Sequence, residues 1–165
     1  MNYISEYKSP LGNILIAADD IGLTGARLEG QNYFDLDLRN RKEDLAVFKE
    51  TKRWLDIYFS GKEPDFKLPL HLSGSDFQME VWNILCEIPY GEVTTYGEIA
   101  KQLTKKRGIK RMSAQAVGGA VGHNKISIII PCHRVIGANG KLVGYGGGID
   151  KKIALLKLEH IKLLT

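Results

Sequence analysis

Pro131-Cys132-His133-Arg134-Val135 follows directly on the apolar run Ile126-Ser127-Ile128-Ile129-Ile130. A β-branched run of this length predicts a buried strand. The cysteine is therefore expected where a buried element breaks at a proline, beside a histidine and an arginine. Cationic neighbours lower a thiol's pKa and make it a nucleophile. The other cysteine is Cys86, so a disulfide framework is not the natural reading. A buried structural cysteine with a chance histidine beside it is the plainer alternative, and the rest of the chain weighs against it.

Several elements must hold these residues. Two strand-like stretches, residues 3–7 and 14–18, flank a turn marked by Pro10 and Gly12, and a third strand is expected over residues 22–28. Residues 44–59 carry Leu45, Val47, Phe48, Trp54, Leu55, Tyr58 and Phe59 with charges between them, which predicts an amphipathic helix ending at Ser60-Gly61. Residues 64–69 read as an extended linker, placing a domain boundary near 70–74. Beyond it, residues 75–86 predict a helix that Ser73 or Ser75 can cap. A second helix begins at Thr94 or Thr95, with Glu98 in capping-box spacing from Thr95, and runs through Leu103. Residues 113–121 form a short helix of small residues, and residues 150–164 a last amphipathic one. Two short helices joined by a loop resemble a helix-turn-helix. The expected fold class is α+β. A small N-terminal α/β domain with an antiparallel sheet (1–72) precedes a mostly helical C-terminal domain of winged helix-turn-helix type (73–165).

Composition bounds the surroundings. A hydrophobic content of 44% with 25% charged residues is that of a soluble globular protein. No apolar stretch reaches membrane-spanning length and the N-terminus lacks signal-peptide features, so a cytoplasmic protein with no membrane partner is expected. Two cysteines that suggest no disulfide framework fit a reducing compartment. Through residue 72 the chain has ten Lys and Arg against twelve Asp and Glu; beyond it, thirteen against seven. Lys101, Lys105, Lys106, Arg107, Lys110 and Arg111 concentrate the excess in the half that carries Cys132. Such a cluster is either a solvated face or a set of phosphate contacts.

Gly91-Glu92-Val93-Thr94-Thr95-Tyr96, Gln115-Ala116-Val117-Gly118-Gly119-Ala120, Asn124, the Pro-Cys-His-Arg-Val motif at 131–135 and Gly144-Tyr145-Gly146-Gly147-Gly148 occur in that order. In this the chain resembles the O6-alkylguanine-DNA alkyltransferases, over residues 73–161 and more weakly before them. The resemblance implies irreversible transfer of the alkyl group from O6-alkylguanine, and from O4-alkylthymine, in double-stranded DNA to Cys132, by a monomer without a cofactor. Thiolate is a soft nucleophile suited to an ether-like carbon, and the thioether formed is not hydrolysed, so the protein is consumed. By the same resemblance His133 activates the thiol through a water and Glu159, on the last helix, orients His133. Tyr96 faces guanine N3, Asn124 braces the turn around the cysteine, Val135 offers its carbonyl to the base, and Tyr145 and Gly146 belong to the loop that closes over it. The base is flipped out to reach the thiol. The helix at 113–121 enters the minor groove, with Gln115, Ala116, Gly118, Gly119, Val121 and also Arg134 on the DNA side. Glycine disfavours helix, so close backbone approach explains Gly118 and Gly119 better than propensity does. Many members carry arginine where this chain has Gln115, and the basic loop is longer here. Cysteines that hold a structural zinc in some relatives are missing before Cys86, so no metal is expected.

Other classes remain open on the residues alone. A redox-sensing regulator explains a reactive cysteine on a basic domain but not Tyr96, Asn124 and Glu159. A thiol hydrolase would also use a Cys-His-Glu set, here Cys132, His133 and Glu159, but with turnover. A non-catalytic relative that only binds alkylated DNA would lack Cys132.

Overall fold

The computed structural model describes residues 2–30, 45–145 and 148–163. The chain divides into two compact units, one of residues 1–73 with 125–127 and one of residues 74–124 with 128–165.

In the first unit, β1 (Tyr3–Ser9), β2 (Gly12–Ala18) and β3 (Leu23–Leu28) form an antiparallel sheet in that order. The first two strands run closer together than the sequence suggests, meeting at a Pro10-Leu11 turn with Ser9 opposite Gly12. Gly12 sits at φ 108°, a backbone conformation that glycine adopts without steric cost. Ile4, Ile14, Ile16, Ala18, Leu23, Ala26 and Leu28 are buried. Helix α1 (Ala46–Phe59) packs on β1 and β2. It buries Phe48, Thr51, Leu55 and Tyr58, spaced by three or four residues as a helical stripe requires. Its expected start at Asp44 lies outside the described residues. The stretch after α1 is not wholly unpaired: Leu23 N–H donates to Pro69 O and His71 N–H to Leu23 O. A Cβ at Gly22 would meet Pro69 O at 2.7 Å, so only glycine permits this approach.

The second unit is mainly helical, with α2 (Asp76–Cys86), α3 (Tyr96–Arg107), α4 (Ala114–Gly122) and α5 (Ile149–Leu158). A two-stranded parallel sheet pairs β4 (Thr94–Thr95) with β5 (Val135–Ile136). Ser75 is the cap of α2, its hydroxyl accepting from Gln78 N–H while the Gln78 amide accepts from Ser75 N–H, a complete capping box. Thr95 caps α3 through Glu98 N–H, and Ser113 caps α4 through Ala116 N–H. Helix α3 extends four residues past Leu103, so Lys105, Lys106 and Arg107 lie on its last turn, where cations suit the helix dipole. Val81, Trp82, Leu85, Ile99, Leu103, Val117, Leu155 and Leu156 make the core, and Trp82 Nε1 donates to Ala120 O at 2.9 Å, tying α2 to α4.

Two expectations are corrected. Residues 126–130 are buried but not a strand. Lys125–Ser127 belong to the first unit, where Ala26 N–H donates to Lys125 O and Ser127 N–H to Ala26 O. Ile128 then turns the chain at φ 72°, a left-handed conformation costly for a β-branched residue. The last helix stops at Leu158, and His160 at φ 64° reverses the backbone, so Glu159 is a cap residue outside the helix.

Candidate functional site

Cys132 opens a single 3₁₀ turn, Cys132–Arg134, whose closing bond runs from Val135 N–H to Cys132 O. The preceding carbonyl, Ile130 O, accepts from Cys132 N–H at 2.8 Å and from the Asn124 side-chain amide at 3.0 Å. Asn124 thus fixes the backbone entering the cysteine, and both residues are buried. Val135 follows into β5, where it pairs with Thr94. Tyr96 is the first residue of α3, directly after Thr95, so the β4–β5 pairing brings Tyr96 and Cys132 to one place. Their proximity registers electrostatically: burial, then the Cys132 charge, push the Tyr96 hydroxyl above its ordinary pKa.

Behind the cysteine lies a buried polar network. His133 Nε2 is 2.5 Å from Glu159 Oε2, and neither side chain has accessible surface. Glu159 Oε1 accepts from Arg134 Nε at 2.8 Å and from Gly91 N–H at 3.1 Å. Arg134 also donates to Ile88 O at 2.7 Å and lies over the Tyr90 ring. Burial lowers the His133 pKa, the Glu159 carboxylate opposing it and the Arg134 and Lys152 charges adding to it. A carboxylate with these donors around it assigns the histidine proton to Nε2 and leaves the Nδ1 lone pair as a base.

Lys152, which composition and charge pattern do not single out, is fully buried. Its Nζ donates to Val135 O at 2.5 Å and to Val143 O at 2.9 Å. Burial lowers its pKa to about 8 against an upward pull from the Cys132 charge. A signal was present: Lys152 stands three and four residues before Leu155 and Leu156, on the apolar stripe of α5. Tyr96 Oη lies 3.5 Å from the same Val143 carbonyl.

On α4, Gln115, Ala116 and Gly119 are exposed, and nothing lies within 4 Å of a Cβ built on Gly119. Gly118 turns instead toward Tyr96, whose ring would be 3.8 Å from a Cβ there. Val121 is buried beside Val117 and Ala120, so it faces the core and not outward as expected. Arg134 is likewise not on an outer face; its guanidinium neutralises Glu159. The Val135 carbonyl, expected to face the base, accepts from Lys152 Nζ, which leaves its second lone pair. Tyr145 is half-buried, with its carbonyl accepting from Gly148 N–H. Gly146 lies outside the described residues. A groove of 420 Å³ between α3 and α4 is lined by Lys101, Thr104, Lys110, Arg111 and Ser113.

A thiol, an imidazole bonded to a buried carboxylate and a nearby phenol are groups chemically suited to a one-step transfer to sulfur. Residues 76–161 match the profile of the 6-O-methylguanine DNA methyltransferase DNA-binding domain, and residues 2–72 that of the same proteins' ribonuclease-like domain. A methylated-DNA–protein-cysteine methyltransferase of Methanosarcina barkeri is 46% identical over 98% of this chain and 99% of its own. One of Mycobacterium bovis is 46% identical over 92% and 88%. The crystal structure of the Mycobacterium tuberculosis O6-methylguanine methyltransferase superposes with TM-score 0.83 at 45% identity, covering 96% of this chain and 93% of that one. A structure of that organism's protein in complex with DNA gives 0.83 at 44% identity over 95% and 92%.

Proposed function

Because the chain belongs to the 6-O-methylguanine DNA methyltransferase family, we propose that Cys132 is the acceptor to which it moves the alkyl group of O6-alkylguanine, and of O4-alkylthymine, in double-stranded DNA. The chain is a methylated-DNA–protein-cysteine methyltransferase and repairs DNA by methyl transfer to a protein cysteine. The observation that supports the assignment to Cys132 is that it shares one 3₁₀ turn with His133, whose ring bonds the buried Glu159 carboxylate.

His133 Nδ1 takes the thiol proton, directly or through one water, and Glu159 stabilises the imidazolium that forms. The Cys132 Sγ lone pair attacks the alkyl carbon, a C–S bond forms, and the C–O6 bond breaks with its electron pair passing to guanine. Tyr96 donates a proton or hydrogen bond to N3 as the ring charge develops. The thioether persists, so each molecule reacts once.

The DNA-facing edge is read from the exposed residues of α4. Ala116 and Gly119 present little bulk, which suits entry into the minor groove, and Gln115 beside them can hydrogen-bond the base left behind when the damaged one is extruded toward Cys132. On this reading α3 and α4 are the two helices of a winged helix-turn-helix, and Lys101, Lys110 and Arg111 face phosphates along the groove between them. The chain acts as a monomer with two domains divided near residue 73. Among the described residues no helix is long and apolar enough to cross a membrane, and the cytoplasm is the compartment proposed.

Intact-mass measurement after mixing with duplex DNA containing O6-methylguanine tests the reading. One added methyl group, mapped to the Cys132 peptide and absent in Cys132→Ser, is expected. Repeated turnover, or a methyl group on Cys86, would overturn it.

A further inference from the structure

A lysine with no accessible surface needs a reason to be charged where it is. Lys152 shares its stripe of α5 with the buried Leu155 and Leu156, yet carries an ammonium into the core. Among the described residues no carboxylate pairs with it; its partners are two main-chain carbonyls. The two belong to unlike pieces of backbone. Val135 is fixed, in β5 and one residue past the 3₁₀ turn of Cys132. Val143 lies in a stretch, residues 141–145, with no helix or strand of its own. The residue is 43% exposed while its carbonyl is turned inward to Lys152 and Tyr96. The backbone then passes through Gly144, at φ 59°, close to the Tyr96 hydroxyl, and reaches Tyr145.

We propose that Lys152 is a positioning residue for alkyl transfer: its ammonium clamps the Val143 carbonyl to the Val135 carbonyl and so holds residues 143–145 against Tyr96, at the entrance to Cys132. This rests on the transfer function proposed for Cys132 and deepens it. Charge-assisted bonds to carbonyls are shorter and stronger than neutral ones, and two of them on one ammonium set the gap between the fixed and the irregular backbone. Pre-set geometry of this kind speeds a displacement because the substrate enters a site already formed. Proximity to Cys132 adds a second effect, since ammonium and thiolate attract one another. The other titratable groups facing this corner are Tyr96 and His133, with Arg134 and Glu159 behind His133. The clamp weakens once Lys152 gives up its proton, above about pH 8.

The test uses the full chain, Lys152→Met, and duplex DNA carrying O6-methylguanine. At saturating DNA the single-turnover rate should fall at least tenfold, while DNA affinity, measured in a Cys132→Ser background, stays within twofold. Amide hydrogen exchange of residues 141–145 should rise, a change that weaker thiol reactivity alone would not produce. Wild-type rate should pass a maximum and decline above about pH 8, and the variant should lack that decline. A variant rate within twofold of wild type, or a slow variant with unchanged exchange, overturns the proposal. If Lys152→Met does not fold, the wild-type profile decides: a rate that climbs steadily to pH 10 overturns it. A wild-type protein that transfers no methyl group would refute the function instead, leaving hydrogen exchange to judge the clamp.

Discussion

Glu159 divides two oxygens among three partners, His133, Arg134 and Gly91 N–H, with no accessible surface of its own. Removing one member of a buried charged pair leaves the other uncompensated, at a cost of about 3–5 kcal/mol. Glu159→Gln should therefore lower the free energy of urea unfolding by about that amount, and should also slow transfer. His133→Gln should slow transfer at neutral pH with partial recovery at higher pH, as the thiol ionises without a base; a rate–pH profile measured on both proteins checks this. The motif around Cys132 and the identity of Glu159 were legible in the sequence. The destination of Arg134 was not. An arginine beside a reactive cysteine in a basic half looks like a DNA contact, and only the fold shows that a buried carboxylate claims it. Lys152 was missed for a related reason, because charge pattern marks lysines as surface residues unless the helical register is followed through α5.

At the scale of elements, capping chemistry made α2 and α3 readable to within a residue or two at their starts, since Ser75 and Thr95 each satisfy an orphan N–H, while the start of α4 was read from its run of small residues. The end of α3 was less legible. Lys105, Lys106 and Arg107 have good helix propensity, and Gly108, at φ 66°, stops the helix four residues later than periodicity suggested. The run 126–130 misled because hydrophobic pattern reports burial and not the hydrogen-bond partner. Position along α3 and the loop after it also divides the basic cluster. Arg107 is committed to Glu80 at 2.9 Å and to the Phe77 ring. Lys101, Lys110 and Arg111 line the groove beside α4. Neutralising those three should flatten the slope of log affinity against log salt by up to about one unit for each phosphate no longer neutralised, and Arg107→Ala should leave it nearly unchanged. Gln115→Ala, by contrast, should weaken repair modestly at constant salt slope, as an uncharged side chain contributes no counterion release. Filter binding across a salt series separates these outcomes.

For the molecule as a whole, acid and alkaline limits follow from buried groups. Burial holds His133 below its ordinary value, so on acidification the unfolded chain takes up that proton first, and stability is lost as pH falls below about 6.5. Lys152 has a folded pKa of about 8 against an ordinary 10.5, so between those values the unfolded chain holds more protons and stability rises with pH. Tyr7 and Tyr96 are raised, by burial first and then by Asp56 and Cys132 respectively, so above about pH 10 the unfolded chain ionises first and stability falls again. Urea midpoints measured from pH 5 to 11 should show the rise above pH 8, and Lys152→Met should abolish it. Lys125–Ser127 carry a different consequence, for inheritance. Three residues that the chain order assigns to the C-terminal half complete the edge of β3. A gene cut after Ser73 would encode an N-terminal piece whose Ala26 N–H and C=O are without their bonds to Lys125 and Ser127. The other piece would bear Ile126 with no sheet to cover it. The two halves are thus not interchangeable cassettes: recombination that trades one N-terminal half for another must also preserve a match at residues 125–127, seven to five positions ahead of Cys132.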